Sequence, residues 1–172
     1  KGEYLVSVDP ERAVFGAYTS GSTGISKLVI HSSANIVATA YQMSIFIPPS
    51  DVQEVWWTPI LPPALIAVTV SMTIFPLSTG LMVSLDPFCP LENIDIEFMD
   101  RKPNFWALIP RYCELLMASD RIPEDYDMSH LRTIGAGAEA MNDRKYAEVE
   151  EFFHKHNVQA KLSAGYGQSE GC

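Results

Sequence analysis

Short apolar, β-prone runs alternate with helical patterns along most of the chain. AVFGAYT (residues 13–19) and LVIHS (Leu28–Ser32) each predict a strand. Ser33 stands where it could cap a helix from residue 34 to about residue 46. Ile36, Val37, Ala40, Tyr41 and Ser44 fall at helical spacing there, and IPPSD (47–51) ends the pattern. Residues 55–85 carry no charge and predict a buried helix, a turn and the buried strand LMVSL. PLENIDIEFMDRKP fits a helix through Leu91, Ile94 and Phe98. NFWALIP is a buried strand, and residues 111–119 form a further short helix. LRTIG (131–135) is a strand. Asn142 caps an amphipathic helix with Tyr146, Val149, Phe152 and Phe153 on one side, and VQAKLSAGYG runs from a last strand into a glycine turn. Alternating strands and helices predict an α/β fold, a largely parallel sheet flanked by helices.

Composition narrows the possibilities. The chain has 172 residues, 47% hydrophobic and 19% charged, enough for one domain with a real core. A formal net charge of −9 and the absence of a basic stripe argue against nucleic acid as a partner. Any anionic ligand must then be held by local donors. Cys89, Cys113 and Cys172 are odd in number and lack metal-type spacing, which points to a reducing, cytoplasmic setting. The uncharged segment is broken by Pro59, Pro62, Pro63, Pro76 and Gly80, so no membrane span is expected. No signal peptide is seen, and the chain stops just past a glycine-rich turn, where an α/β layer would normally continue. It reads as one piece, residues 1–172, of a larger protein.

The stretch AYTSGSTGISK stands apart. Seven of its eight residues from Thr19 to Ser26 are Ser, Thr or Gly, and Lys27 follows. Glycines let backbone N–H groups turn toward a ligand, hydroxyls add small donors, and lysine adds charge, which together suit a phosphate cradle. The Walker pattern G-x-x-x-x-G-K-[ST] fails here, because Ser26 and Leu28 stand where it needs Gly and a hydroxyl. GAGAEA (135–140) matches the dinucleotide fingerprint after a strand. Yet the next strand ends without an acid for a ribose hydroxyl, so a Rossmann-type dinucleotide-binding domain is only the rival reading.

YTSGSTGISK resembles the phosphate-binding signature of the adenylate-forming (AMP-binding) superfamily: acyl-CoA synthetases, luciferases and the adenylation domains of nonribosomal peptide synthetases. GAGAEAM resembles that family's adenine-side turn, GYGQSEG its Y-G-x-[TS]-E motif, and NFWALIPRYCELL the strand–proline–helix between them, in the family's order. The likeness covers essentially the whole chain, as the central part of the large N-terminal domain. Departures are Ser26 for the common Pro, Leu28 for the Gly after the lysine, Ser169 for Thr, and prolines in TPILPPAL where members often carry an aromatic or His. The family's ribose-binding aspartate and C-terminal domain have no counterpart among these residues.

The resemblance implies ATP, Mg2+ and coenzyme A as cofactors and a small-molecule carboxylic acid as partner. It implies that Thr19, Ser20, Gly21, Ser22, Thr23, Gly24 and Lys27 grip the β- and γ-phosphates. Gly137, Ala138 and Glu139 would border adenine, Tyr166 would stack on it, and Gly167 lies in the same turn. Ser169 would donate to the α-phosphate and Glu170 would bind Mg2+. Lys27, Ser169 and Glu170 are thus the candidate catalytic groups. Amino-acid-activating members place an Asp in the segment matching VWWTPILPPALIAV. None occurs here, so an AMP-forming acyl-CoA synthetase of fatty acid metabolism is expected, with amino-acid adenylation second. The isolated piece is expected to be inactive. His31 is expected to be structural, His154 and His156 to face a helix dipole, and Trp56 and Trp57 to pack.

Overall fold

The computed structural model describes residues 9–19, 24–46, 54–62 and 64–171. Ser20, Gly21, Ser22 and Thr23, the IPPSD helix stop and Cys172 lie outside them. Two sheets form. Strands β1 (Ala13–Tyr18) and β2 (Leu28–Ser32) make an antiparallel hairpin of their own. The other sheet is parallel throughout, in the order β4-β3-β5-β6-β7, from β3 (Val55–Pro59), β4 (Met82–Asp86), β5 (Phe105–Leu108), β6 (Thr133–Ala136) and β7 (Leu162–Ala164). The expected α/β class with a largely parallel sheet therefore holds, with the hairpin as a separate antiparallel part.

Helix α1 (Ser33–Phe46) follows the hairpin. Its cap is Ser32, not Ser33. The Ser32 Oγ accepts from the Asn35 amide at 3.3 Å, and Asn35 Oδ1 accepts from the Ser32 amide at 3.0 Å, a reciprocal capping box. Only part of the expected apolar face is covered. Ile36 and Ala40 are buried, whereas Val37 and Tyr41 are exposed, as is Ile45. On the hairpin, Val14, Tyr18, Leu28 and Ile30 are exposed on one face as well.

β3 is absent from the sequence reading, which took Trp56 and Trp57 only as packing before a helix. Both indoles are buried, on opposite faces of this strand. On one face, Trp57, Trp106, Ile134 and Leu162 meet α3 (Ile94–Arg101), α4 (Pro110–Met117) and α5 (Asp143–Lys155) through Phe98, Leu116, Val149 and Phe153. On the other, Trp56 and Phe105 meet Ala40 of α1, Phe75 and Leu81. The uncharged helix is present, but as a π-helix (Ala67–Ile74) running into α2 (Phe75–Ser78). Gly80, at φ +83°, and Leu81 end α2 in a Schellman motif, with Gly80 N–H on the Leu77 carbonyl and Leu81 N–H on that of Pro76. No helix among the described residues is long and apolar enough to cross a membrane.

Polar ties fix the register at the amino edge of the parallel sheet. Asn104 Oδ1 accepts from the Val55 amide at 2.9 Å, its Nδ2 donates to the His130 carbonyl at 3.0 Å, and its carbonyl accepts from Arg132 N at 2.8 Å. Glu54, buried, pairs with Arg132 beside it. Asn142 caps α5 as expected, its side chain accepting from the Lys145 amide. His156, taken as a dipole-compensating group, is instead buried with Nδ1 2.8 Å from the Tyr126 carbonyl, while His154 is exposed. His31 is buried in β2.

Asp95, in the first turn of α3, is buried against Ser119 and Arg121. Burial pushes its carboxyl up, but hydrogen bonds from Ser119, Arg121 and the Ile96 amide outweigh this and hold it below the ordinary 3.8. A carboxyl with a lowered native pKa stabilises the fold fully above its unfolded value. That contribution disappears as pH falls through the native value. Urea unfolding followed down to about pH 2 should therefore show a shallower acid decline in Asp95→Asn than in the wild type. Asn104→Ala, which strands the Val55 N–H and the His130 carbonyl, should cost about 2 kcal/mol in the same measurement.

Candidate functional site

All five parallel strands end at one edge, so the connections leaving them converge there. β3 leads to β4 on one side, and β4 then leads across to β5 on the other. The chain thus reverses its winding between β3 and β5, the place where open α/β sheets hold ligands. At this crevice Ile60 takes φ +67°, a strained value for a β-branched residue. Its amide donates to the Asp86 carbonyl at 2.7 Å, and the Leu61 amide closes a γ-turn on the Pro59 carbonyl at 2.7 Å. Nothing in the sequence reading marked this turn. The Pro-Ile-Leu-Pro run was its trace.

The turns after β6 and β7 lie against each other. Gly165 N–H donates to the Ala136 carbonyl at 2.8 Å, and a Cβ on Gly137 would sit 3.2 Å from the Gly165 carbonyl oxygen. Gly137 is therefore glycine because another backbone passes over it. Ala138 follows at φ +68°. Ala138, Glu139, Gly167 and Glu170 are exposed, and Ser169 is half-buried at the start of a 3-10 turn, Ser169–Gly171. Tyr166 is 90% exposed, its hydroxyl donating to Gln168 Oε1 at 3.3 Å, so its ring is free to meet a ligand. The structure thus sets Gly137, at the start of the turn carrying Ala138 and Glu139, against Gly165, where the turn carrying Tyr166 to Glu170 begins.

The other half of the expected site is the hairpin loop. Thr19 N–H donates to the Lys27 carbonyl at 2.9 Å, and Thr19 Oγ1 accepts from the Lys27 amide at 3.0 Å. The Ser26 hydroxyl donates to the Thr19 carbonyl, which gives the residue in the usual proline position a part in closing the loop. Gly24 stands at φ +107°. The Lys27 side chain is exposed and makes no ion pair with Glu170 or any other described residue.

A third surface went unread. On the sheet face turned away from α4 and α5, Ala107, Gly135 and Ser163 stand side by side in register. A Cβ on Gly135 would meet nothing within 4 Å, and Ser163 is exposed. Thr58 shares that face on β3, buried, with no partner for its hydroxyl among the described residues. The signal was a small residue near the carboxyl end of three successive strands. Gly135 also lies inside β6, and α5 begins only at Asp143, so GAGAEA is no strand-to-helix phosphate turn of the dinucleotide kind.

The two glycines give a contrast. Gly137→Ala should lower stability by about 1–3 kcal/mol, since backbone must shift to admit the methyl. Gly135→Ala should leave the melting temperature near that of the wild type. Equal losses in thermal unfolding would contradict this geometry.

Similar folds are well populated. The chain matches the N-terminal domain of FACL13 from Mycobacterium tuberculosis with a TM-score of 0.77 at 18% identity, covering 96% of this chain and 39% of that one. It matches the fatty acyl-adenylate ligase from L. pneumophila, in complex with acyl adenylate and pyrophosphate, at 0.80 and 20% identity, covering 96% and 30%. It matches McyG A-PCP, complexed with phenylalanyl-adenylate, at 0.80 and 19% identity, covering 96% and 31%. The chain thus spans 30% to 39% of the length of these structures. No curated protein matches significantly by sequence. The family model described as AMP-binding enzyme matches residues 2–172, all but the first residue, and the chain belongs to that family of adenylate-forming enzymes.

Proposed function

We propose that this chain is the central part of the N-terminal domain of an AMP-forming acyl-CoA synthetase. In this reading a carboxylate oxygen attacks the α-phosphorus of ATP, pyrophosphate leaves, and the acyl group of the resulting acyl-adenylate passes to the thiol of coenzyme A. The observation that carries the reading is the row of small residues Ala107, Gly135 and Ser163 on one sheet face, open at Gly135 and Ser163, on the strands that lead into the abutting turns after β6 and β7. A carboxylic acid lying on small residues there would end at the turn that holds Ser169 and Glu170. The neighbouring 55–85 segment has no charged side chain, so nothing in it would pair with an α-ammonium group. This favours a plain, apolar acid over an amino acid.

The side chains suit the groups they would hold. Gly137 lets the two turns close to backbone distance, and a base would lie beside them, with Tyr166 free to stack on it and Ala138, Glu139 and Gly167 at its border. Ser20, Gly21, Ser22, Thr23 and Gly24 would wrap the β- and γ-phosphates, and Lys27 would neutralise charge building on the leaving pyrophosphate. Thr19, whose oxygen accepts from Lys27 N–H, keeps its own hydroxyl proton to donate. Ser169 would orient the α-phosphate. Mg2+ takes one or two carboxylates and otherwise phosphate oxygens and water, and Glu170, exposed beside Ser169, would be its carboxylate. Bound there, the ion would neutralise phosphate charge.

Carboxylate-dependent ATP–pyrophosphate exchange, run on the protein that contains this chain with fatty, aromatic and amino acids, tests the reading. Exchange with fatty or aromatic acids, and coenzyme A-dependent release of AMP, are the expected results. Exchange confined to amino acids would move the assignment to peptide-synthetase adenylation. Lys27→Ala and Glu170→Gln should each lower exchange by a factor on the order of 100 or more. Near-normal rates in both would remove these residues from the mechanism.

A further inference from the structure

The uncharged helix has a feature that the proposed reaction does not require. Eight consecutive residues, Ala67–Ile74, are π-helical, a stretch much longer than the single-turn bulge in which such geometry ordinarily occurs. The Phe75 amide bonds the Val70 carbonyl five residues back, and the Thr73 hydroxyl bonds the Val68 carbonyl at 2.7 Å, again across five residues. Pro76 follows at once, buried, at the start of α2.

Proline explains the wide turns. In an α-helix its ring would collide with the carbonyl four residues back, that of Met72, and it has no N–H to offer that oxygen. Opening the helix by one residue per turn carries the Met72 carbonyl away from the ring. It also makes Ser71, not Met72, the residue whose carbonyl faces the missing N–H. The Schellman motif at Gly80 and Leu81 anchors the helix beyond Pro76, so the adjustment runs backward, toward Ala67. Each added residue per turn changes which side chains point at the sheet.

The helix stands where this matters. It packs on β3 and α1, and its Met72 and Ile74 rest on the cluster of Trp56 and Phe105. One strand beyond, the same sheet face is open at Gly135. We propose that Pro76 is a specificity-determining residue. By forcing the π-helical register of residues 67–74 it sets the wall of the acid-binding crevice, and with it the acid the enzyme prefers. This rests on the proposed carboxylate-activating function. Pro76 is a positioning residue that acts through the helix and touches no reacting atom.

The test uses the protein that contains this chain. Pro76→Ala supplies the missing N–H and removes the ring. Its crystal structure should show residues 67–74 as an α-helix. Exchange kinetics over a ladder of straight-chain acids should show a displaced length preference, with the kcat/KM ratio of the two best acids changed at least about tenfold, the worth of a methylene or two. The KM for ATP should not move. A variant that stays π-helical overturns the proposal, as does one that becomes α-helical with an unaltered acid ranking. If the wild type activates no acid, the functional reading fails by itself, and a retained π-helix in Pro76→Ala still overturns the role of the proline. Should that variant not fold, Thr73→Val decides. With Pro76 in place it should keep both the π-helix and the acid ranking, and conversion to an α-helix would transfer the register to Thr73.

Discussion

The junction between β3 and β5 is the constraint on which the rest of this fold depends. It joins the two halves of the sheet across the point where the winding reverses, and only two residue pairs, Trp56 with Phe105 and Trp57 with Trp106, define its register. Each pair stacks, at 5.8 Å and 5.5 Å between ring centroids, one on each face of the sheet. Phe75 meets Trp56 edge-on at 5.7 Å, and Phe98 lies 5.1 Å from Trp106, so each stack is also the floor of one helical layer. Aromatic pairs of this kind contribute roughly 0.5–1.5 kcal/mol beyond area burial. Among the described residues none of the three indole N–H groups has a hydrogen-bond partner, so the rings contribute by packing, beside the strand ladder and the Asn104–Val55 hydrogen bonds.

That junction organises the site without touching most of it. Holding β3 and β5 side by side opens the crevice at their carboxyl ends and fixes Ile60 at its rim. It also aligns β6 and β7 so that their turns meet backbone to backbone. Opposite, Asn104 and the Glu54–Arg132 pair close the amino edge with polar contacts. One edge is locked by side chains, and the other is left to small residues and main chain.

The sequence made most of this architecture legible, for identifiable reasons. Helices with a two-sided pattern were readable to within a residue or two: Asn142 caps α5 as its position implied, and Val149 and Phe153 are buried. Strands flanked by glycine or polar turns were readable as well. β3 was not, because a strand buried on both faces has no alternation, and its Trp-Trp-Thr-Pro run merged with the apolar helix after it. The cap of α1 moved by one residue because Ser32 and Ser33 are equivalent as letters, and only Asn35 decides between them. At the candidate site, the motif residues could be singled out because glycine and hydroxyl spacing is what a phosphate cradle would require. The open sheet face and the γ-turn at Ile60 were not, since both arise from strand order, which no local window contains.

The exposed apolar side chains of the hairpin and α1 have a consequence for handling the molecule. Val14, Tyr18, Leu28, Ile30, Val37, Tyr41 and Ile45 are each at least half exposed, on a chain of net charge −9. Mutual repulsion keeps such molecules apart in dilute buffer. Raising ionic strength shortens the reach of that repulsion to about 3 Å at 1 M, while short-range attraction between greasy surfaces persists. Association through these side chains, wherever they stand free, is therefore expected to strengthen as ionic strength rises.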